Sequence, residues 1–111
     1  MNYSIKENKL VINNDIEIEF LYNVAKVVQF EDIYVCLLSP PLGEKMNENI
    51  TCVTSKGEVL WIVEKIIPEE KDFPYVDIMK RGDKLIASSW AGFRVGIRLE
   101  NGKIAWRRIT K

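Results

Sequence analysis

The sequence predicts an all-β fold, and three observations carry that prediction. Apolar and polar residues alternate with period two, as where Ile16, Ile18 and Phe20 are interleaved with Glu17 and Glu19. Turn-forming residues interrupt the chain at short intervals, among them Asn13-Asn14, Ser55-Lys56-Gly57 and Arg81-Gly82-Asp83. A short phrase also occurs twice: Gly57-Glu58-Val59-Leu60-Trp61 returns as Gly102-Lys103-Ile104-Ala105-Trp106, 45 residues later. No segment sustains an i, i+3, i+4, i+7 apolar stripe with caps, so no helix is expected.

The elements follow in order. Residues 1–22 hold an N-terminal hairpin, in which Lys9–Ile12 and Asp15–Phe20 turn about Asn13-Asn14, because Asn tolerates positive φ. Residues 23–67 form a first blade-like unit with strands Val24–Phe30, Ile33–Ser39, Ile50–Thr54 and Glu58–Ile66. Residues 68–74 hold two prolines and four charges, a poor strand and a good connector. Residues 75–111 repeat the unit with strands Val76–Lys80, Lys84–Ser89, Phe93–Leu99 and Lys103–Ile109. The units differ at one connection: the first inserts residues 40–49, with Leu42 and Met46 expected at the surface, where the second uses Trp90-Ala91-Gly92. Such a loop is either a site of function or a tolerated insertion. The whole chain, 111 residues and 47% apolar, reads as one domain with a real core.

No apolar run reaches the ~18–20 residues of a membrane helix, and the first twenty residues lack the apolar core of a secretory signal. A cytoplasmic location is expected. The sequons Asn2-Tyr3-Ser4 and Asn49-Ile50-Thr51 then carry no glycan, and Cys36 and Cys52 read as small buried hydrophobes rather than a disulfide. The net charge of zero hides an asymmetry. Residues 1–77 hold 14 acids against 7 bases, and residues 78–111 hold 2 acids against 9 bases. Such a split either binds the halves together or presents one acidic and one basic face.

Catalytic chemistry finds little purchase. The chain has no histidine, which removes Ser-His-Asp and Cys-His systems and the commonest metal ligand. Ser88 and Ser89 have no evident activating base. The carboxylate pairs Glu31-Asp32 and Glu69-Glu70 fall in turn or linker segments, where solvated acids are the rule. No CxxC, P-loop or GxGxxG is present. Arg81-Gly82-Asp83 spells the cell-adhesion tripeptide but is better read as a glycine turn. A protein that is not an enzyme and holds no cofactor or metal is expected.

Taken together, Lys84–Gly92, the strand Phe93–Leu99 and the phrase ending at Trp106 resemble a blade of the quinoprotein-like (PQQ-like) β-propeller family, and Ile50–Trp61 resembles the second half of one. The resemblance covers about two thirds of the chain. It implies that Gly57 with Trp61, and Gly102 with Trp106, are structural posts whose indoles dock between neighbouring blades. Propellers close with about 4–8 blades, so two blades and a hairpin imply an open arrangement that carries none of that family's quinone or metal ligands. By size, strand-only architecture and charge, the chain also resembles immunity proteins of bacterial contact-dependent inhibition systems, which bind a toxin domain, often a nuclease.

The expected function is therefore protein binding, by an immunity protein that neutralises a cognate toxin. Asp15, Glu17, Glu19, Glu31, Asp32, Glu69, Glu70, Asp72 and Asp77 could make an acidic face against a basic nuclease cleft. Tyr22, Phe73, Tyr75, Trp90 and Phe93 are candidate aromatic anchors. One alternative is a self-assembling half-propeller, in which two copies complete a ring. Another is single-strand nucleic-acid binding through Arg94, Arg98, Arg107 and Trp90, against which the arginines are expected to form cross-strand pairs with the acidic half.

Overall fold

The computed structural model describes residues 2–44, 46–66, 74–89 and 92–109. Among the described residues, eleven antiparallel strands form three sheets, and none closes into a barrel. The N-terminal sheet is β1 (Tyr3–Lys6), β2 (Lys9–Ile12) and β3 (Ile16–Glu19). The central sheet is β4 (Asn23–Phe30), β5 (Ile33–Ser39), β6 (Ile50–Thr54) and β7 (Val59–Ile62). The C-terminal sheet is β8 (Tyr75–Arg81), β9 (Lys84–Ser89), β10 (Phe93–Ile97) and β11 (Ile104–Ile109). All three are meanders, with each strand beside its neighbour in the sequence.

The expected N-terminal hairpin is thus a three-stranded sheet. Its turn is as anticipated, with Asn13 and Asn14 both left-handed at φ 54° and 57°. The added strand β1 enters through Glu7, which takes φ 54° without being glycine. On β1 it is Tyr3 and Ile5 that sit opposite Ile12 and Leu10, so these four share the inward face.

Central-sheet strands read as nearly continuous apolar runs because both faces are covered. One face, with Tyr34, Cys36, Leu38 and Val53, packs on Leu10 and Ile12 of the N-terminal sheet. The other, with Val35, Leu37, Ile50, Cys52 and Trp61, packs on Ile78, Leu85, Ala87, Val95 and Ile97 of the C-terminal sheet. Three blade-like sheets therefore stack as layers, with two cores between them.

The two four-stranded sheets share their irregularities as well as their order. A register shift lies between Val24 and Lys26 in β4 and between Tyr75 and Asp77 in β8. Another lies between Cys52 and Val53 in β6 and between Gly96 and Ile97 in β10. Bulges at matching places mark these sheets as copies of one unit. Some equivalent positions touch. Lys26 and Asp77 form an ion pair at 3.0 Å, and Lys80 Nζ donates to the Gln29 carbonyl at 2.9 Å.

Asn49 ties the central and C-terminal sheets at a second point. Fully buried, it donates through Nδ2 to the carbonyls of Leu38 (2.9 Å) and Tyr75 (2.8 Å) and accepts the Tyr75 N–H on Oδ1 (3.0 Å). Its sequon is closed to modification in the folded chain. The inserted loop is accordingly part anchor and part surface, with Asn47 and Asn49 buried, Met46 half-buried and Leu42 fully exposed. Of the anticipated connector, residues 68–74, all but Pro74 fall outside the described residues.

Candidate functional site

The repeated phrase places its two tryptophans on equivalent strands, β7 and β11, but in different surroundings. Trp61 is buried at 6% exposure, and its Nε1 donates to the Leu99 carbonyl at 2.7 Å. The turn carrying Gly102 closes over it. A Cβ on Gly102, where φ is +75°, would sit 2.5 Å from the Trp61 ring and 3.2 Å from the Ile62 carbonyl. Glu64 completes the seam, donating its N–H to the Gly102 carbonyl and accepting the Ile104 N–H on its carboxylate. Trp61 thus lies in the core between the central and C-terminal sheets.

Trp106 departs from that placement. It is 40% exposed and lies across its own sheet, with its indole so close to Gly96 that a Cβ there would meet the ring. The Arg108 guanidinium sits 5.3 Å from its ring centroid, a cation–π pair. No described segment covers it. Gly57 repeats the role of Gly102 one sheet earlier: its turn packs on Ile16 and Ile18 of β3, with a notional Cβ 3.1 Å from Ile16 Cγ2.

The outward faces of the two end sheets are the described candidate surfaces. On the N-terminal sheet, Ile16 and Ile18 turn inward, which sends Glu17 and Glu19 outward by the strand period. Lys9 lies 3.0 Å from Glu17 and 4.0 Å from Glu19. These two carboxylates hold the Lys9 ammonium above its ordinary pKa, the hydrogen bond to Glu17 being the largest cause. Asp15 stands at the adjoining turn and is exposed, whereas Glu31 and Asp32 stand on the β4–β5 turn. Asp77 is engaged with Lys26. The anticipated acids therefore divide between two sheets and a turn. Glu69, Glu70, Asp72, Phe73 and Trp90 lie outside the described residues.

Two of the anticipated anchors belong to the interior. Tyr75 is 2% exposed and donates its hydroxyl to the Glu64 carbonyl at 2.7 Å, because its strand begins at the Asn49 clamp. Phe93 is half-buried and packs against the core. Tyr22 is half-buried, and its hydrogen bond to Glu44 raises its phenol pKa.

On the C-terminal sheet, Arg81, Lys84, Arg94, Arg98 and Arg108 line a concavity of about 590 Å³ together with Gly96, Trp106 and two acids, Asp83 and Glu100. Arg107 faces the other way, beside Glu64 and Lys103, because its strand partner Val95 points into the core. The expected cross-strand pairs with the acidic half do not form. Among the described residues no arginine has a carboxylate within 4.0 Å, and the ion pairs all involve Lys9 or Lys26. The reason is the layer order: the central sheet separates the acids of β3 from the arginines of β10 and β11.

Both thiols are free and buried, and burial pushes each up to about 12. Neither is a nucleophile near neutral pH. Among the described residues no three His, Cys, Asp or Glu side chains gather as a metal site would need, and no helix is long and apolar enough to cross a membrane.

A family model described as a domain of unknown function, DUF7957, matches residues 1–109. The chain belongs to this family. No curated protein matches it. Sequence reasoning found Trp61, Trp106 and both glycine turns through the repeat. It missed Asn49, whose only signal was an asparagine at the mouth of a strand, and Gly96, whose signal was a glycine inside one.

Proposed function

We propose that this protein is a non-enzymatic protein-binding module acting by stoichiometric docking, and more specifically an immunity protein that neutralises a cognate toxin in the cytoplasm. A nuclease with a basic cleft is the fitting target. The observation that carries this reading is the division of side chains on β3. Ile16 and Ile18 are committed to the Gly57 turn, and Glu17 and Glu19 are thereby held in fixed outward positions. Lys9 is their partner in the free protein. Those ion pairs are exposed to solvent and weak, so a dense basic cleft can replace them at small cost. The inert state of both thiols adds support, since the chain's strongest potential nucleophiles are withdrawn from solvent.

A ring of copies has less support. The outward face of β2 and β3 sets Lys9, Glu17 and Glu19 around Val11, in place of the apolar surface that joins sheets inside the molecule. The test is to look beside this gene for a large secreted protein with a variable C-terminal domain, to co-express that domain with this protein, and to follow with calorimetry on the purified pair. The reading predicts a 1:1 complex that Glu17→Lys with Glu19→Lys weakens by about tenfold or more, mainly through the association rate. Unchanged binding and unchanged cell protection would overturn the acidic-face version.

A further inference from the structure

The outward face of the C-terminal sheet is the third instance of a surface that is covered twice within the molecule. The Gly57 turn covers Ile16 and Ile18, and the Gly102 turn covers Trp61. Strand register identifies the equivalent face. Cys52 stands opposite Trp61 and Val35 in the central sheet, as Gly96 stands opposite Trp106 and Ile86 in the C-terminal sheet. The side chains beside this row differ between the copies. Central-sheet Leu37 and Ile50 are apolar, whereas the matching pair is Ser88 and Arg94.

The result is an apolar stripe, Met79-Ile86-Gly96-Trp106, crossing all four strands between two groups of cations. An apolar centre within a polar rim, rich in Trp, Met and Arg, is the anatomy of a protein interface. Two features of it are unmet. Arg94 and Arg108 are directly opposite one another, an arrangement that destabilises a sheet unless an anion bridges it, and among the described residues none does. Trp106 Nε1 likewise donates to no described acceptor, although its counterpart on Trp61 holds a backbone carbonyl.

We infer that this face docks an acidic protein surface with an apolar centre, which would lay a turn over Trp106 as the Gly102 turn lies over Trp61. The site is separate from the acidic face proposed above. Nucleic acid fits it less well, because one face of the indole rests on Gly96 and a stacking base would have to displace Arg108 from the ring. A second copy also fits less well, since Lys9 sits among the acids of the only acidic sheet face described.

A defined probe tests this: a synthetic two-strand hairpin peptide with Leu and Phe across its centre and Glu around them, titrated into the full-length labelled protein and followed by NMR. The expected result is saturable movement of the Gly96 amide and of the Trp106 indole N–H, the latter towards the hydrogen-bonded position of Trp61. Arg94→Glu with Arg108→Glu should weaken binding by about tenfold or more, and Glu17→Lys with Glu19→Lys should leave the titration unchanged. The same peptide with Lys in place of Glu should move nothing. The inference is overturned if the Glu peptide moves neither signal or the Lys peptide moves both. It is also overturned if a thymidine oligonucleotide binds there more tightly than the peptide, or if the signals move with protein concentration alone.

Discussion

Trp61 and Trp106 stand at the same place in two copies of one phrase, yet one belongs to the core and the other to the surface. The difference lies in the neighbours. Beneath Trp61 is Cys52, and above it is the turn of the following sheet. Beneath Trp106 is Gly96, and above it is an arginine. A repeated motif therefore carries a position in a sheet, while the next layer decides whether that position stabilises the fold or meets a partner.

The sharpest way to break the comparison is to obstruct the cover. Gly102→Val combines a left-handed φ with a clash against the Trp61 ring and a backbone carbonyl, and should cost about 3 kcal/mol or more, seen as a large drop in the urea midpoint. Gly57→Val should cost less, about 1–2 kcal/mol, because its nearest obstacle is the branch methyl of Ile16 at 3.1 Å rather than a ring and backbone. The indoles come next. Trp61→Ala should lose about 3–5 kcal/mol by the same measurement, and Trp106→Ala about 1 kcal/mol, since it is already part-solvated. Equal losses would mean that the two copies are energetically alike.

Asn49→Leu should destabilise by about 2–3 kcal/mol, because it orphans the N–H and carbonyl of Tyr75 and the carbonyl of Leu38 between sheets. A further expected effect is alkaline. Cys36 and Cys52 sit near 9 when unfolded and about 12 when folded, so only the unfolded chain ionises between those values. Stability should be intact below pH 9 and fall as pH rises towards 12. The buried Tyr75 phenol, also raised by burial, adds in the same direction. The gap between unfolding midpoints at pH 8 and pH 11 should narrow in a Cys36→Ala, Cys52→Ala variant, leaving the share due to Tyr75. Iodoacetamide at pH 8 should label neither thiol until urea is added.

Much of this architecture was legible in the sequence because its signals are local. The strands Ile33–Ser39, Ile50–Thr54 and Lys84–Ser89 match expectation residue for residue, bounded by turns whose chemistry is written in Asn, Asp and Gly. Strand β1 escaped because its turn places Glu7, not glycine or asparagine, at positive φ, and because all four of its residues are exposed. Candidate surfaces were less legible. Charge counting left open whether the halves bind each other or present separate faces, and the intervening layer keeps most opposite charges apart. Tyr75 looked like a surface anchor because nothing local marks a hydroxyl that will find a carbonyl eleven residues away.

The glycine turns give the stack a direction in time. Ile16 is covered by residue 57 and Trp61 by residue 102, a separation of 41 residues in each case. As the chain leaves the ribosome, each sheet emerges before the turn that seals it, so its last strand stays wet until roughly another whole sheet has been made. Synthesis would then advance the fold in discrete steps, each finishing the layer before. Arrest of translation between residues 61 and 102 should leave a protease-resistant N-terminal pair of sheets with an indole still open to solvent.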